Sequence, residues 1–438
     1  MDRESSTLTA RILGYVWQTG RVSDTLLPRF ARLAVETALA DTPVVVIQGA
    51  RQVGKSTLAA QVAADHGGVV ANLDDNNTLR VIQEDPVAFI EQRPPGELVV
   101  IDEAQRAPEL ILPLKASVDR DRQPGRFLLT GSADLLKVKG VADSLAGRAE
   151  TIEILPLSQG ELARRATPED VVDWLMTGAE RQDTLTSLKP ETVIRGGFPE
   201  PRLRTEARSR AWFTSYVSRL ADHDAKEVQQ GGYADQLAAL LRIIAAQGQS
   251  ELVMAKVARD LGVAESTADA YLRLATTMRL VVQTPSWSRS PRGRVVRRPK
   301  ACLTDSGLAA ALARFTGPAV GTLGGREYYG ALVEQFVTLE LMKQASWSAC
   351  PFDLYHFRDR DGLEVDLVAE TLDGHLIAIE VKTTHTITPS LWTSLAKFRD
   401  RYSDKSVTGV LLHAGTTTAT MHGWLHVLPI TALWTHQL

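Results

Sequence analysis

Short, mostly apolar blocks alternate with helix-spaced segments through the first third of the chain. Residues 43–47, 69–73, 98–101, 127–130 and 151–154 are each of strand length, and residues 55–64 carry helical spacing. Strands that are apolar on both sides and separated by helices predict a mostly parallel sheet covered on both faces. From residue 158 helical spacing takes over, at 161–165, 168–177, 208–217 and 234–246. Two further helices, 254–261 and 264–278, are joined by Gly262-Val263 and lead into an apolar strand at 280–283. Helix, short turn, helix and hairpin is the pattern of a winged helix-turn-helix. A long helix at 328–343, strands at 354–357, 364–368 and 376–381, a helix at 391–402 and a strand at 407–412 complete the pattern. The expected division is 1–157 (α/β), 158–232 (helical lid or linker), 233–317 (winged helix) and 318–438 (a second α/β domain).

Composition narrows the function classes. Of 438 residues, 44% are hydrophobic and 23% charged, an ordinary globular balance. The net charge is −3, so the chain is no polycation, and contact with nucleic acid would need a local patch. No apolar run approaches the roughly 18–20 residues that span a bilayer, and Met1-Asp2-Arg3-Glu4 lacks the apolar core of a secretory signal. Cys302 and Cys350 are too few for a disulfide framework or a zinc cluster. A cytoplasmic protein with no membrane contact is expected.

The first candidate chemistry follows the strand at 43–47. Gly49-Ala50-Arg51-Gln52-Val53-Gly54-Lys55-Ser56, with Thr57 after it, fits the P-loop pattern in full. Its glycines let the backbone turn consecutive N–H groups inward around a phosphate, and the helix opening at Lys55 adds partial positive charge. Lys55 is placed to span the β- and γ-phosphates and Ser56 to ligate Mg²⁺. Asp102 and Glu103 end the strand at 98–101; two adjacent acids there are costly unless they meet a cation. Asp102 is expected to hold Mg²⁺ through water, and Glu103 to orient and polarise the attacking water.

Two parts are softer. A hydroxyl of Thr130-Gly131-Ser132, with Ser132 favoured over Thr130, would sense the γ-phosphate, or the segment is simply a turn. Arg148 would reach a nucleotide from a neighbouring element or subunit, or it forms a surface salt bridge.

These strings, with Ile101-Asp102-Glu103-Ala104-Gln105, Leu145-Ala146-Gly147-Arg148 and Leu155-Pro156-Leu157-Ser158, resemble a widespread group of prokaryotic AAA-superfamily ATPases. Gly196-Gly197-Phe198-Pro199 and Thr304-Asp305-Ser306-Gly307-Leu308 match the same group, whose C-terminal domain is of unknown function. The resemblance covers nearly the whole chain. It implies ATP rather than GTP, and a sheet in which a sensor strand separates the P-loop strand from the strand bearing Asp102.

Near the end, Asp366 and Glu380 lie on adjacent strands joined by a turn, with Lys382 two residues after Glu380 on the same face. Glu334, on the preceding helix, offers a third carboxylate. A helical Glu, a strand Asp and then Glu-x-Lys resemble the PD-(D/E)XK nuclease core, in which carboxylates hold Mg²⁺ and the lysine positions water. The alternative is a hairpin whose Glu380–Lys382 pair is a surface salt bridge. Arg289, Arg292, Arg294, Arg297, Arg298 and Lys300 form a basic run with no acid among them, either a wing laid on DNA or a solvated hairpin.

The leading expectation is a Mg²⁺-dependent ATPase that couples hydrolysis to rearrangement of the C-terminal segments. The alternatives are an ATP-regulated, metal-dependent nuclease and a nucleotide-gated regulator that does not hydrolyse. A homo-oligomer or a partner protein is compatible with each.

Overall fold

The computed structural model describes residues 26–92, 96–131, 145–177, 186–228 and 234–435. The chain divides into two compact units, Met1–Leu155 and Pro156–Leu438.

In the first unit, β1 (Val44–Gln48), β2 (Val69–Asn72), β3 (Val99–Asp102), β4 (Phe127–Gly131) and β5 (Ala149–Glu153) form a parallel sheet ordered β2-β3-β4-β1-β5. The continuous apolar runs of β1, β3 and β4 are buried along their whole length, because these strands lie inside the sheet with both faces covered. Only Ile152 of β5 is buried, as befits an edge strand. Helices Ala31–Leu39, Lys55–Asp65 and Ile111–Arg120 alternate with the strands. Two more helices, Asn76–Glu84 and Pro86–Glu91, fall where the apolar pattern is silent. Their starts are written in caps instead: Asp75 accepts from Thr78 N, and Asp85 from Ala88 N with Pro86 in the first turn. The strand order has β4 between β1 and β3, as the AAA resemblance implies.

The second unit begins with helices, the longest being Glu206–Val228 and Ala234–Gln247. Strand β6 (Ser250–Glu251), helices Met254–Leu261 and Glu265–Thr277, and strands β7 (Val281–Thr284) and β8 (Lys300–Leu303) follow, with the three strands antiparallel in the order β6-β8-β7. The β7–β8 connection was expected as a hairpin but holds a short helix, Pro291–Val296. It is anchored by Trp287, which is fully buried among Phe357, Phe398 and Tyr402.

After the helix Leu323–Ala345 come β9 (Phe352–Arg358), β10 (Glu364–Thr371) and β11 (Leu376–Lys382), a helix Thr393–Arg401, then β12 (Val407–His413), β13 (Ala419–Met421) and β14 (Leu425–Pro429). The sheet order is β13-β14-β12-β11-β10-β9, with β9, β10 and β11 antiparallel in sequence and β12 parallel to β11. Strands β13 and β14 lie beyond the last expected strand and extend the sheet past β12.

Two of the strings that carry the family resemblance meet in this unit. Asp305 is buried and caps the helix Ser306–Leu312 by accepting from Leu308 N at 2.9 Å, while its other oxygen accepts from Gly197 N at 2.6 Å. Ser306 Oγ donates to Val193 O at 2.7 Å. Burial raises the Asp305 pKa, against the pull of the Gly197 and Leu308 amides. The residues 196–199 and 304–308 thus hold a fold joint together. Asp305→Ala leaves two buried N–H groups unsatisfied and should cost about 2–4 kcal/mol. Seven of the eight tryptophans follow residue 155, so their fluorescence in urea should report the lowered midpoint; an unchanged midpoint would contradict the joint.

Candidate nucleotide site

The P-loop leaves β1 at Gln48 and enters the helix Lys55–Asp65. A Cβ at position 49 would lie 2.5 Å from Ile154 O, and Gly54 has φ +102°, so neither position accommodates a larger residue without strain. Gln52 also turns left-handed, at φ 64°. The turn folds the loop over the helix N-terminus, and Lys55, 4% exposed, donates to Gly49 O at 3.0 Å and Ala50 O at 2.9 Å. Ala50 and Val53 are buried, Arg51 and Thr57 half-buried, and Ser56 exposed.

Ser56, Asp102 and Thr130 converge on one oxygen. Ser56 Oγ donates to Asp102 Oδ1 at 2.9 Å, and Thr130 Oγ1 donates to the same atom. Thr130 Oγ1 in turn accepts from Glu103 N at 3.1 Å. Glu103 sits at φ 57°, an uncommon conformation for a residue with a side chain, and Gln105 Nε2 donates to its Oε2. Hydroxyl and carboxylate oxygens at the helix N-terminus form a hard donor set that suits Mg²⁺.

Residues 41–163 match a family model described as an AAA domain. Over 380 residues the chain is 30% identical to "Uncharacterized protein Rv2008c" of Mycobacterium tuberculosis, covering 86% of this chain and 78% of that one. The chain belongs to this AAA-domain family. "Uncharacterized protein Mb2031c" of Mycobacterium bovis matches with the same identity and coverage. Residues 188–319 and 329–433 match two domains of unknown function, DUF8612 and DUF4143. Among solved structures the chain is similar to the Walker-type ATPase PABY2304 of Pyrococcus abyssi, with 16% identity and a TM-score of 0.43, over 67% of this chain and 97% of that one.

The AAA domain distributes the remaining candidates unevenly. Ser132 lies outside the described residues. Arg148 precedes β5 and is level with Val44, whose N–H donates to Arg148 O at 3.2 Å. It is therefore at the opposite edge of the sheet from the P-loop, about 13 Å away along β1. There its Nε donates to Asp119 Oδ1 at 2.6 Å, a bond that lowers the Asp119 pKa and raises that of Arg148. The Arg148–Asp119 pair is the salt bridge named as the alternative, and the length of the sheet separates Arg148 from the P-loop of its own chain.

Arg29 belongs to no motif and carries no signal in the sequence. Buried at the base of the P-loop, it donates to Val53 O at 2.5 Å and to Leu155 O at 2.9 Å. It braces the loop's last turn from below.

In the second unit, Glu334, Asp366, Glu380 and Lys382 do come together. Continuing the β10–β11 register, in which Leu367 faces Ile379, sets Asp366 opposite Glu380. Lys382 Nζ lies 2.5 Å from Glu380 Oε1 and 3.7 Å from Asp366 Oδ2. Burial, then Asp366, raises the pKa of both Glu334 and Glu380, while Lys300 and Lys382 pull the other way. The nuclease metal fits poorly here: among the described residues no three acidic, imidazole or thiol groups are placed to hold an ion.

The basic run is largely committed within its own unit. Arg289 pairs with Asp404 at 2.7 Å, Arg294 with Glu370 at 2.6 Å, and Lys300 with Glu334 at 2.7 Å, while Arg297 donates to Arg358 O. Trp287 and these ion pairs hold the connection down, which corrects the alternative of a solvated hairpin. Among the described residues no helix is long and apolar enough to cross a membrane.

Arg29→Met removes both bonds beneath the loop. It should weaken binding of a fluorescent adenine nucleotide about tenfold, the scale of a charged hydrogen bond. Unchanged affinity in a titration would refute the bracing role.

Proposed function

We propose that the chain is a Mg²⁺-dependent ATPase acting as a nucleotide-driven switch, in which hydrolysis rearranges the segments after residue 157. The observation that carries this reading is the Asp102 oxygen shared by Ser56 and Thr130 beside the P-loop. A hydroxyl at the start of the phosphate helix and a carboxylate on the next-but-one strand are the pair that holds Mg²⁺ in P-loop hydrolases. Bound there, the ion would neutralise charge developing on the γ-phosphate. Lys55 would exchange the Gly49 and Ala50 carbonyls for phosphate oxygens. Glu103 would orient the attacking water, its backbone fixed by Thr130 and its carboxylate by Gln105. Thr130 is a second hydroxyl for the sensor role beside Ser132. From the far edge of the sheet, Arg148 would act on the nucleotide of a neighbouring copy, which makes an oligomer the working form.

The order helix, β6, helix, helix, β7, β8 supports a winged-helix reading of residues 233–317. Helix, β9, β10, β11, helix, β12 supports a nuclease-like fold for 318–438. Arg292 and Arg298, exposed and without a side-chain partner among the described residues, are where the basic run would touch a DNA backbone.

Phosphate release with and without DNA or RNA tests the main reading. Lys55→Ala should abolish turnover. Glu103→Gln should keep nucleotide affinity within about threefold and slow release by about 100-fold or more. Binding without hydrolysis in the wild type would favour the regulator instead. Arg148→Ala should lose turnover alone and regain part of it when mixed with Lys55→Ala, whose intact Arg148 would complete the neighbour's site. No recovery on mixing would remove the role across subunits.

A further inference from the structure

Four acids of the second unit gather from three elements: Glu334 on the helix Leu323–Ala345, Glu364 and Asp366 on β10, and Glu380 on β11. In a nuclease-like fold such a group would clasp a divalent ion. Here lysines lie among the acids instead. Lys300 comes from β8, outside the nuclease-like motif, and its side chain is 5% exposed. Its Nζ is 2.7 Å from Glu334 Oε1 and 3.1 Å from Glu364 Oε1. Lys382 takes up Glu380 and Asp366, whose remaining contacts are internal: Glu380 Oε2 accepts from Ser394 Oγ at 2.9 Å and Asp366 Oδ2 from Val381 N at 2.8 Å.

Lys300 is no wandering surface chain. Its backbone is paired on both sides, opposite Glu251 of β6 and Thr284 of β7. The connection leading to it is held by Trp287 in the apolar core and by the Arg294–Glu370 pair. An ammonium taken this far from water needs anions around it, and a carboxylate turned to that ammonium is withdrawn from a metal.

Starting from the nuclease-like reading of residues 318–438 and independent of hydrolysis at the P-loop, we propose that the Lys300 ammonium stands in the cation position of this cluster. The domain is thereby kept metal-free, and a divalent ion enters only when Lys300 leaves.

The test is Mn²⁺ titration of the full-length, nucleotide-free chain, followed by electron paramagnetic resonance. Wild type should leave the free Mn²⁺ signal as in buffer. Lys300→Gln should bind a single Mn²⁺ per chain, and Lys300→Gln combined with Asp366→Asn should lose it. Wild-type binding that Asp366→Asn abolishes would overturn the proposal, as would a folded Lys300→Gln that binds none. Should Lys300→Gln unfold, recovery of its melting transition by Mn²⁺ supports the proposal. Recovery only by Lys300→Arg, with Mn²⁺ without effect, leaves an ordinary ion pair and overturns it.

Discussion

One carboxylate oxygen organises the first unit. Asp102 Oδ1 receives hydroxyls from Ser56 and Thr130, so three different pieces of chain meet at one atom. They meet only because β4 lies between β1 and β3, and because all three strands end at the same edge of a parallel sheet. A one-residue slip would turn Asp102 to the other face of the sheet and dissolve the convergence. The apolar strand interiors therefore fix the chemistry at their ends, since they hold the register.

The second unit also carries charge inside, at the crossings of its elements. Glu340 is buried and accepts from Gln159 N at 2.9 Å and from Lys343 at 2.6 Å, joining the segment after residue 158 to the long helix 323–345. Glu169, also buried, has its pKa pushed up to about 7 by burial and by nearby Glu340. With Asp305 and Lys300, these groups place ion pairs and caps at the crossings of elements that are far apart in sequence. Removing one partner of such a pair leaves a stranded charge, so each crossing is specific as well as cohesive.

Legibility in the sequence tracked how local the determining physics was. The P-loop, Asp102 and Glu103 were readable because strand, loop and helix are contiguous and the required residue types are few. The hairpin that sets Asp366 opposite Glu380 was readable for the same reason. Arg29 was not, since its partners are backbone carbonyls 24 and 126 residues away and carry no side-chain signal. Thr130 stood second to Ser132 because strand alternation does not say which hydroxyl meets Asp102. The basic run looked like a solvent or DNA surface because its acidic partners, Asp404, Glu370 and Glu334, are 34 to 115 residues distant. Charge pattern read along the chain cannot see a counterion supplied by another strand.

Trp287 carries a consequence for dissection of the protein. It follows β7 of the three-stranded sheet and seats its ring beside Phe357 of the six-stranded one and beside Phe398 and Tyr402 at the helix Thr393–Arg401. A cut near residue 317, inviting on the linear map, would strip the C-terminal fragment of an indole that plugs its aromatic core. The residues 285–300 are, in folding terms, a borrowed part of the tail, and an autonomous C-terminal fragment has to start upstream of them.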